Sequence, residues 1–339
     1  MKEPSPNVIE FDKKKIDEQI ASYGDYYSQG VKVKKWNLSN EESLGNSSKS
    51  TEKYIAYFEK DDLKFSGIIN NIYKRDGYGL EMYSNGDKYI GQFNSDLREG
   101  NGIYFFAPTN NNIKSYHLQN ECYLGKWKNN VIDKNGIYIW MDEPVNSYEY
   151  DDANFDAYIG EFEEGKYKRG TYISKSNNDY TLYHGNFDND GKKNDNDAYY
   201  YISKNHQIFH GKVKKDVLIS GFLCTLDEER DKVIDLIYCK FNEDGSINDV
   251  FEERQLNKYD VVDEKKKLVD FRNIILEGDH FGRIYKKYSR IKFKIDKLVD
   301  ISGILEREEN IREIDKILNK YAKKNVYNSI EENMFGREI

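Results

Sequence analysis

A short frame recurs along the chain: an aromatic residue, any residue, glycine, any residue, then an aromatic or apolar residue. It reads Phe65-Ser66-Gly67-Ile68-Ile69, Tyr89-Ile90-Gly91-Gln92-Phe93, Tyr123-Leu124-Gly125-Lys126-Trp127 and Tyr158-Ile159-Gly160-Glu161-Phe162. Looser copies are Tyr183-His184-Gly185-Asn186-Phe187 and Phe209-His210-Gly211-Lys212-Val213. The central glycines, at 67, 91, 125, 160, 185 and 211, are spaced by 24, 34, 35, 25 and 26 residues. A period near 24 with two insertions of about ten residues accounts for all five gaps. A second half follows each frame. Gly77-Tyr78-Gly79 leads to Tyr83, Gly100-Asn101-Gly102 to Tyr104 and Phe106, Gly136 to Tyr138 and Trp140, and Gly170 to Tyr172.

This spacing predicts one β-hairpin per repeat. Residues 89, 91 and 93 are two apart and so share one face of a strand, as do 102, 104 and 106 on the return strand. Glycine between aromatics lets a ring lie flat on the backbone. Polar stretches such as Asn94-Ser95-Asp96 and Ser84-Asn85-Gly86-Asp87 supply turns. One hairpin is marginal alone, so stability is shared between stacked neighbours. The predicted fold class is mainly β, an elongated single antiparallel sheet of stacked hairpins followed by an α-helical C-terminal region.

The pattern resembles the membrane occupation and recognition nexus (MORN) repeat, whose consensus opens Tyr-x-Gly-x-Trp and later carries Gly-x-Gly followed by an aromatic. The resemblance is strongest at Tyr89 to Phe106 and Tyr123 to Trp140 and extends over about residues 54–222. It implies a non-catalytic scaffold that docks partner proteins, in a cytoskeletal or ciliary (axonemal) assembly. The alternatives are an accessory subunit of another large complex, including an organellar one, and a phospholipid-associated module. The expected docking face is Tyr89, Phe93, Tyr104, Phe106, Tyr123, Trp127, Tyr138, Trp140, Tyr158 and Phe162.

The flanks differ in character. Residues 1–53 read as an N-terminal arm or linker, partly disordered, with a short helix at about 11–22. Residues 223–260 read as a hairpin cap or connector turning at Asp244-Gly245. Over 261–339 the period is helical. Leu268, Phe271 and Ile275 lie at i, i+3 and i+7, and Ile304, Ile311, Ile314, Leu318 and Tyr321 follow a heptad-like spacing. The final helix is expected to pack on this chain's sheet, with a partner helix as the alternative.

Composition narrows the function classes. Of 339 residues, 38% are hydrophobic and 33% charged, too polar for one thick core, whereas 29 Tyr, 17 Phe and 3 Trp are too many aromatics for disorder. A formal charge of -8 is a poor match to nucleic acid. Partners are therefore expected to be other proteins ahead of a membrane, with neither nucleic acid nor a small-molecule substrate. The sparse cysteines Cys122, Cys224 and Cys239 and the lack of an apolar leader are expected of a soluble intracellular chain; the resemblance implies a cytoplasmic, cytoskeletal or ciliary location, with an organellar complex left open.

The chemistry-bearing residues make no familiar site. His117, His184, His206, His210 and His280 form no zinc signature; His206 and His210 are four apart, but in strand-like sequence. Asn186-x-Asp188-x-Asp190-Gly191, with Asp197 at the twelfth position, approximates a calcium loop but carries Lys193 where an apolar residue is usual, so a solvated turn is expected. No catalytic residue, metal or cofactor is expected. Two charge clusters remain as docking patches: Asp142, Glu143, Glu149, Asp151, Asp152 and Asp156, and the basic set Lys286, Lys287, Arg290, Lys292, Lys294 and Lys297.

Overall fold

The structure is a computed structural model that describes residues 25–28, 31–36, 53–60, 63–70, 74–107, 121–141, 155–176, 179–227, 233–276 and 308–323. It is mainly β, antiparallel and open, and the chain divides into two compact units. The first comprises 1–133 and 288–324, the second 134–287 and 325–339.

In the first unit β1 (Asp25–Ser28), β2 (Val31–Trp36), β3 (Lys53–Lys60), β4 (Leu63–Asn70), β5 (Arg75–Tyr83), β6 (Lys88–Asn94), β7 (Leu97–Phe106) and β8 (Glu121–Lys128) follow one another. Each pairs antiparallel with the next. The first two strands lie inside the stretch read as an arm. The helix expected at 11–22 lies outside the described residues.

Most of β9 (Val131–Met141) belongs to the second unit. It is followed by β10 (Phe155–Glu163), β11 (Lys166–Ser176), β12 (Asp179–Asn186), β13 (Asp195–Ile202), β14 (Gln207–Lys214), β15 (Val217–Leu226), β16 (Val233–Phe241) and β17 (Ile247–Glu252). These also pair in sequence order. The shortest connections are two-residue turns with both residues at positive φ: Ser95 and Asp96 at 50° and 73°, Glu164 and Gly165 at 50° and 78°, Lys215 and Asp216 at 50° and 70°. That turn follows the right-handed twist of the strands it joins.

One register runs through each unit, because the frame glycines pair with one another. In the first unit Ala56, Gly67, Gly79, Gly91, Gly102 and Gly125 are successive cross-strand partners. In the second, Gly136, Gly160, Gly170 and Gly185 form one row, and Ala198, Gly211 and Gly221 another. Directly opposed residues share a face, so the residues two positions from each glycine line up beside the row. In the second unit these are Tyr138, Tyr158, Tyr172, Tyr183, Tyr200 and Phe209. In the first they are Phe65, Glu81, Tyr89, Tyr104 and Tyr123.

Two helices complete the fold: α1 (Lys258–Leu276) and α2 (Glu308–Lys323). On α2, Ile311, Ile314 and Leu318 are buried, as the heptad-like spacing predicts, and Ile317 beside them is buried too; on α1 the buried residues include Leu268 and Phe271. Helix α2 packs against β5, β6 and β7. The Asn101 side-chain amide donates to Asn319 Oδ1 at 3.2 Å. In the second unit Phe271 of α1 stacks on Tyr199 with ring centroids 4.6 Å apart. Asn101 and Tyr199 each sit one residue from a member of the glycine or aromatic row, so both helices cover the opposite, aliphatic face. The C-terminal helices therefore pack within the chain, and they leave the aromatic side to cover itself.

Candidate functional site

The five-residue frame is explained by how its first residue lies. The Tyr89 ring rests across Gly91 of its own strand and Gly102 of the next. A Cβ at Gly91 would stand 2.3 Å from the Tyr89 hydroxyl, and one at Gly102 would stand 2.5 Å from the ring. The hydroxyl then donates to the carbonyl of the fourth frame residue, Gln92, at 2.9 Å. The same bond recurs from Tyr123 to Lys126, Tyr158 to Glu161 and Tyr183 to Asn186. The fifth residue meets the first edge to face. Centroids are 5.2 Å apart for Tyr89–Phe93, 5.4 Å for Tyr123–Trp127, 5.0 Å for Tyr158–Phe162 and 5.2 Å for Tyr183–Phe187. Such contacts add to the area each ring buries. The Gly-x-Gly half divides two tasks. Gly100 takes the left-handed bulge (φ 77°) that lets Gln92 Oε1 accept the Asn101 N–H at 2.7 Å, and Gly102 seats the ring.

This packing corrects the expected docking face. Tyr89, Phe93, Tyr104, Tyr123, Trp127, Tyr138, Tyr158 and Phe162 are all buried, so they build the fold and present no surface to a partner in this structure. Phe106 and Trp140, at the far ends of β7 and β9, are half-buried. They lean on Tyr104 and Tyr138 at 4.6 and 4.3 Å.

Charge enters the seam at a repeated position that the aromatic frame does not include. The second residue of a two-residue turn clamps the backbone of a basic residue on the preceding hairpin. Asp96 N–H donates to Arg75 O and Asp96 Oδ1 accepts the Arg75 N–H. Asn130 does the same to Arg98, and Asp216 to Lys193. Each basic side chain then lies over the rings. Arg98 is 5.0 Å from Tyr89 and from Tyr104, 5.4 Å from Trp127 and 5.7 Å from Tyr83. Lys193 Nζ is 5.2 Å from Tyr172, 5.5 Å from Tyr183 and 5.1 Å from Tyr200. Cations at this range are drawn to the ring faces.

The two cages are neutralised differently. Glu81 occupies a place in the aromatic row, between Phe65 and Tyr89, and its carboxylate is shared by Arg75 and Arg98, with Arg98 Nε at 2.8 Å. Tyr83 donates its hydroxyl to the same carboxylate at 2.9 Å, and Asp96 pairs with Arg75 at 3.1 Å. Burial opposes ionisation of Glu81, but the adjacent Arg98 and Arg75 guanidiniums outweigh it and hold the carboxyl below its ordinary range. Lys193 meets no carboxylate at ion-pair distance among the described residues. Burial pushes its pKa below the usual lysine value, partly countered by the charges of Asp216 and Asp156.

The other candidates are not drawn into this seam. His210 faces away from it: Nδ1 lies 2.5 Å from Glu264 of α1, Nε2 lies 2.7 Å from Asp197, and the ring stacks on Tyr199. Burial disfavours its protonation, but the hydrogen bonds and charges of Glu264 and Asp197 prevail and raise its pKa. His184 is buried against Thr171, and burial lowers its pKa to about 3. His206 ends a short turn, so the His206–His210 spacing builds no shared site. The Asp188 carboxylate caps the N–H groups of Asp190 and Lys192 in its own turn. Among the described residues no cluster of His, Cys, Asp and Glu could hold a metal, and Cys122, Cys224 and Cys239 are buried and form no disulfide there. The basic set from Lys286 to Lys297, five of the six acidic residues, His117 and His280 lie outside the described residues; the sixth, Asp156, accepts the Tyr172 hydroxyl at 3.0 Å.

Repeating hairpins with a glycine row and a tyrosine-to-carbonyl bond define a hairpin-repeat protein. The family model for the MORN repeat matches residues 73–88 and 89–109, which supports a MORN-repeat protein. No curated protein matches it. MORN repeats serve as protein-interaction or membrane-associated modules and are generally non-catalytic. Among the described residues no helix is long and apolar enough to cross a membrane.

Proposed function

We propose that this chain is a non-catalytic scaffold that docks partner proteins, as a subunit of a cytoskeletal or ciliary assembly in the cytoplasm. The observation that carries the docking reading is the end of the second unit. There β17 pairs antiparallel with β16. A bulge sets Ile247 opposite Phe241 and Val250 opposite Cys239, which puts both on the seam side of the sheet. Ile247 and Val250 are 49% and 47% exposed, whereas the rings earlier in the seam are covered. Exposed apolar side chains on one face of a strand offer a surface to a partner strand or helix.

The test uses the full chain and the variant Ile247→Lys/Val250→Lys. Native purification followed by mass spectrometry of what co-purifies should give a defined set of cytoskeletal or ciliary proteins, and the double variant should lose it while keeping its thermal midpoint. Retention of the same set by the variant, or a monodisperse wild-type monomer that captures nothing, overturns the reading.

A further inference from the structure

We infer that the Tyr172–Tyr183–Tyr200 cage binds the alkylammonium group of a partner protein, a lysine or methylated lysine side chain, and that Lys193 fills it as an internal plug. The inference rests on the docking reading only in taking the ligand to be part of a protein. The cage's geometry stands apart from that reading. One cationic nitrogen stands over three adjacent rings at 5.1 to 5.5 Å from their centroids. The occupant in this structure is itself a primary alkylammonium, which shows that the cage is of the right size for one.

Three features make the plug removable. First, the ammonium is held by ring faces and not by an ion pair, so nothing comparable to the Arg98–Glu81 contact must break for it to leave. Second, its backbone stays anchored when the side chain swings out, because Asp216 Oδ1 accepts the Lys193 N–H at 2.9 Å and Asp216 N–H donates to Lys193 O at 3.0 Å. Third, its sequence neighbours Lys192 and Asn194 are exposed, and two cage walls, Tyr172 and Tyr200, are only half-buried. Asp156 and Asp216 set a negative field at the cage, which favours a cation over a neutral group. A methylated ammonium is less strongly hydrated than Lys193 and gains more from the rings, so it is the favoured competitor. Among its described residues the first unit offers no such site. Its equivalent cation, Arg98, is fixed by Glu81 and enclosed by four rings.

The experiment uses the full chain and two probes, tetramethylammonium chloride and N-acetyl-trimethyllysine amide, with sodium chloride at matched ionic strength as control. In the Lys193→Ala variant both probes should bind saturably, about tenfold more tightly than in the wild type, because the plug no longer competes. Adding Tyr200→Leu should abolish that binding. In the wild type, saturating probe should speed reductive methylation of Lys193, read by mass spectrometry, by about tenfold over the salt control. This measurement stands even if the alanine variant fails to fold. Equal affinities in wild type and Lys193→Ala, binding that survives Tyr200→Leu, or an unchanged labelling rate each overturn the proposal. So does binding confined to phosphatidylcholine vesicles, which would make the ligand a lipid headgroup. Loss of partners from the Ile247→Lys/Val250→Lys variant leaves all these outcomes unchanged, so the two readings fail separately.

Discussion

The cation lodged among aromatic rings in the first unit is a guanidinium bound to a buried carboxylate; its counterpart in the second is an ammonium held by ring faces. Both sit at the same place in the repeat, clamped by the second residue of the next turn. The difference lies in one row position. The first unit puts Glu81 where its neighbours carry an aromatic, and the second unit carries tyrosines without a break from Tyr138 to Tyr200. A carboxylate in the seam commits two arginines to the interior, because removing any one member leaves uncompensated charge in a low-dielectric site. Without it the cation is a filler whose loss uncovers only ring faces. The repeat thus supports a structural cation and an exchangeable one with the same backbone.

Four measurements would break or sharpen this contrast. The largest effect is expected from Glu81→Gln, which strands Arg98 and leaves Arg75 with Asp96 alone. Denaturant unfolding should show a loss of about 3–5 kcal/mol. A loss under about 1 kcal/mol would mean that ring faces suffice for both cations and that the two cages do not differ. Next, Trp127→Ala removes a ring that contacts Tyr89, Tyr104 and Tyr123 and roofs Arg98. It should cost about 3–5 kcal/mol, and hydrogen exchange should show the damage spreading to the neighbouring hairpins.

A smaller effect is expected at His210, on the far face of the second unit. Its folded pKa is raised above the unfolded value, so its contribution is fully present below the unfolded pKa, about 6.5, and is lost as pH rises through the folded pKa. Wild-type stability should therefore fall across that interval relative to His210→Asn, at most about 1.4 kcal/mol for each pH unit. The facing groups are Glu264 on α1 and Asp197 and Tyr199 on β13. A pH profile identical in the two proteins would show that His210 has the same pKa folded and unfolded. The smallest change is expected from Lys193→Ala, whose unfolding free energy should move by less than about 1 kcal/mol. A loss approaching that of Glu81→Gln would erase the distinction drawn between the cages.

Much of this was legible in the frame itself. Equal offsets from Tyr89 and Tyr123 to their glycines predict which residues oppose one another, and the glycine row carries out that register. Exposure was not legible, for a physical reason. The residues between the rings, such as Leu80, Ile90 and Ile103, are apolar too, so Tyr-Ile-Gly reads as buried on both faces and gives no sign of which face is open. Here α2 covers one and the rings cover themselves on the other. The cations were overlooked because the repeat was traced through aromatics and glycines alone. A signal was present: Arg75-Asp76-Gly77-Tyr78-Gly79 and Arg98-Glu99-Gly100-Asn101-Gly102 place arginine two residues before each Gly-x-Gly. Lys193 has no such flag, since Asp195 and Asp197 stand where the glycines would be.

The glycine row also governs where such a chain can change in length. A residue added to a strand would slide every later pair by one and bring a Cβ under a ring, so growth inside the strands is closed. The two-residue turns that end in Asp96, Asn130 and Asp216 are equally closed, since each supplies the clamp for a cation. That leaves the opposite ends, where β7 gives way to β8 after Phe106 and β9 to β10 after Met141. Both long insertions in the repeat period fall at those ends. Apart from residues 187–194, which join β12 to β13 at the turn end, lineages of this protein would then diverge by lengthening that one margin of the array, like pages free at the fore-edge.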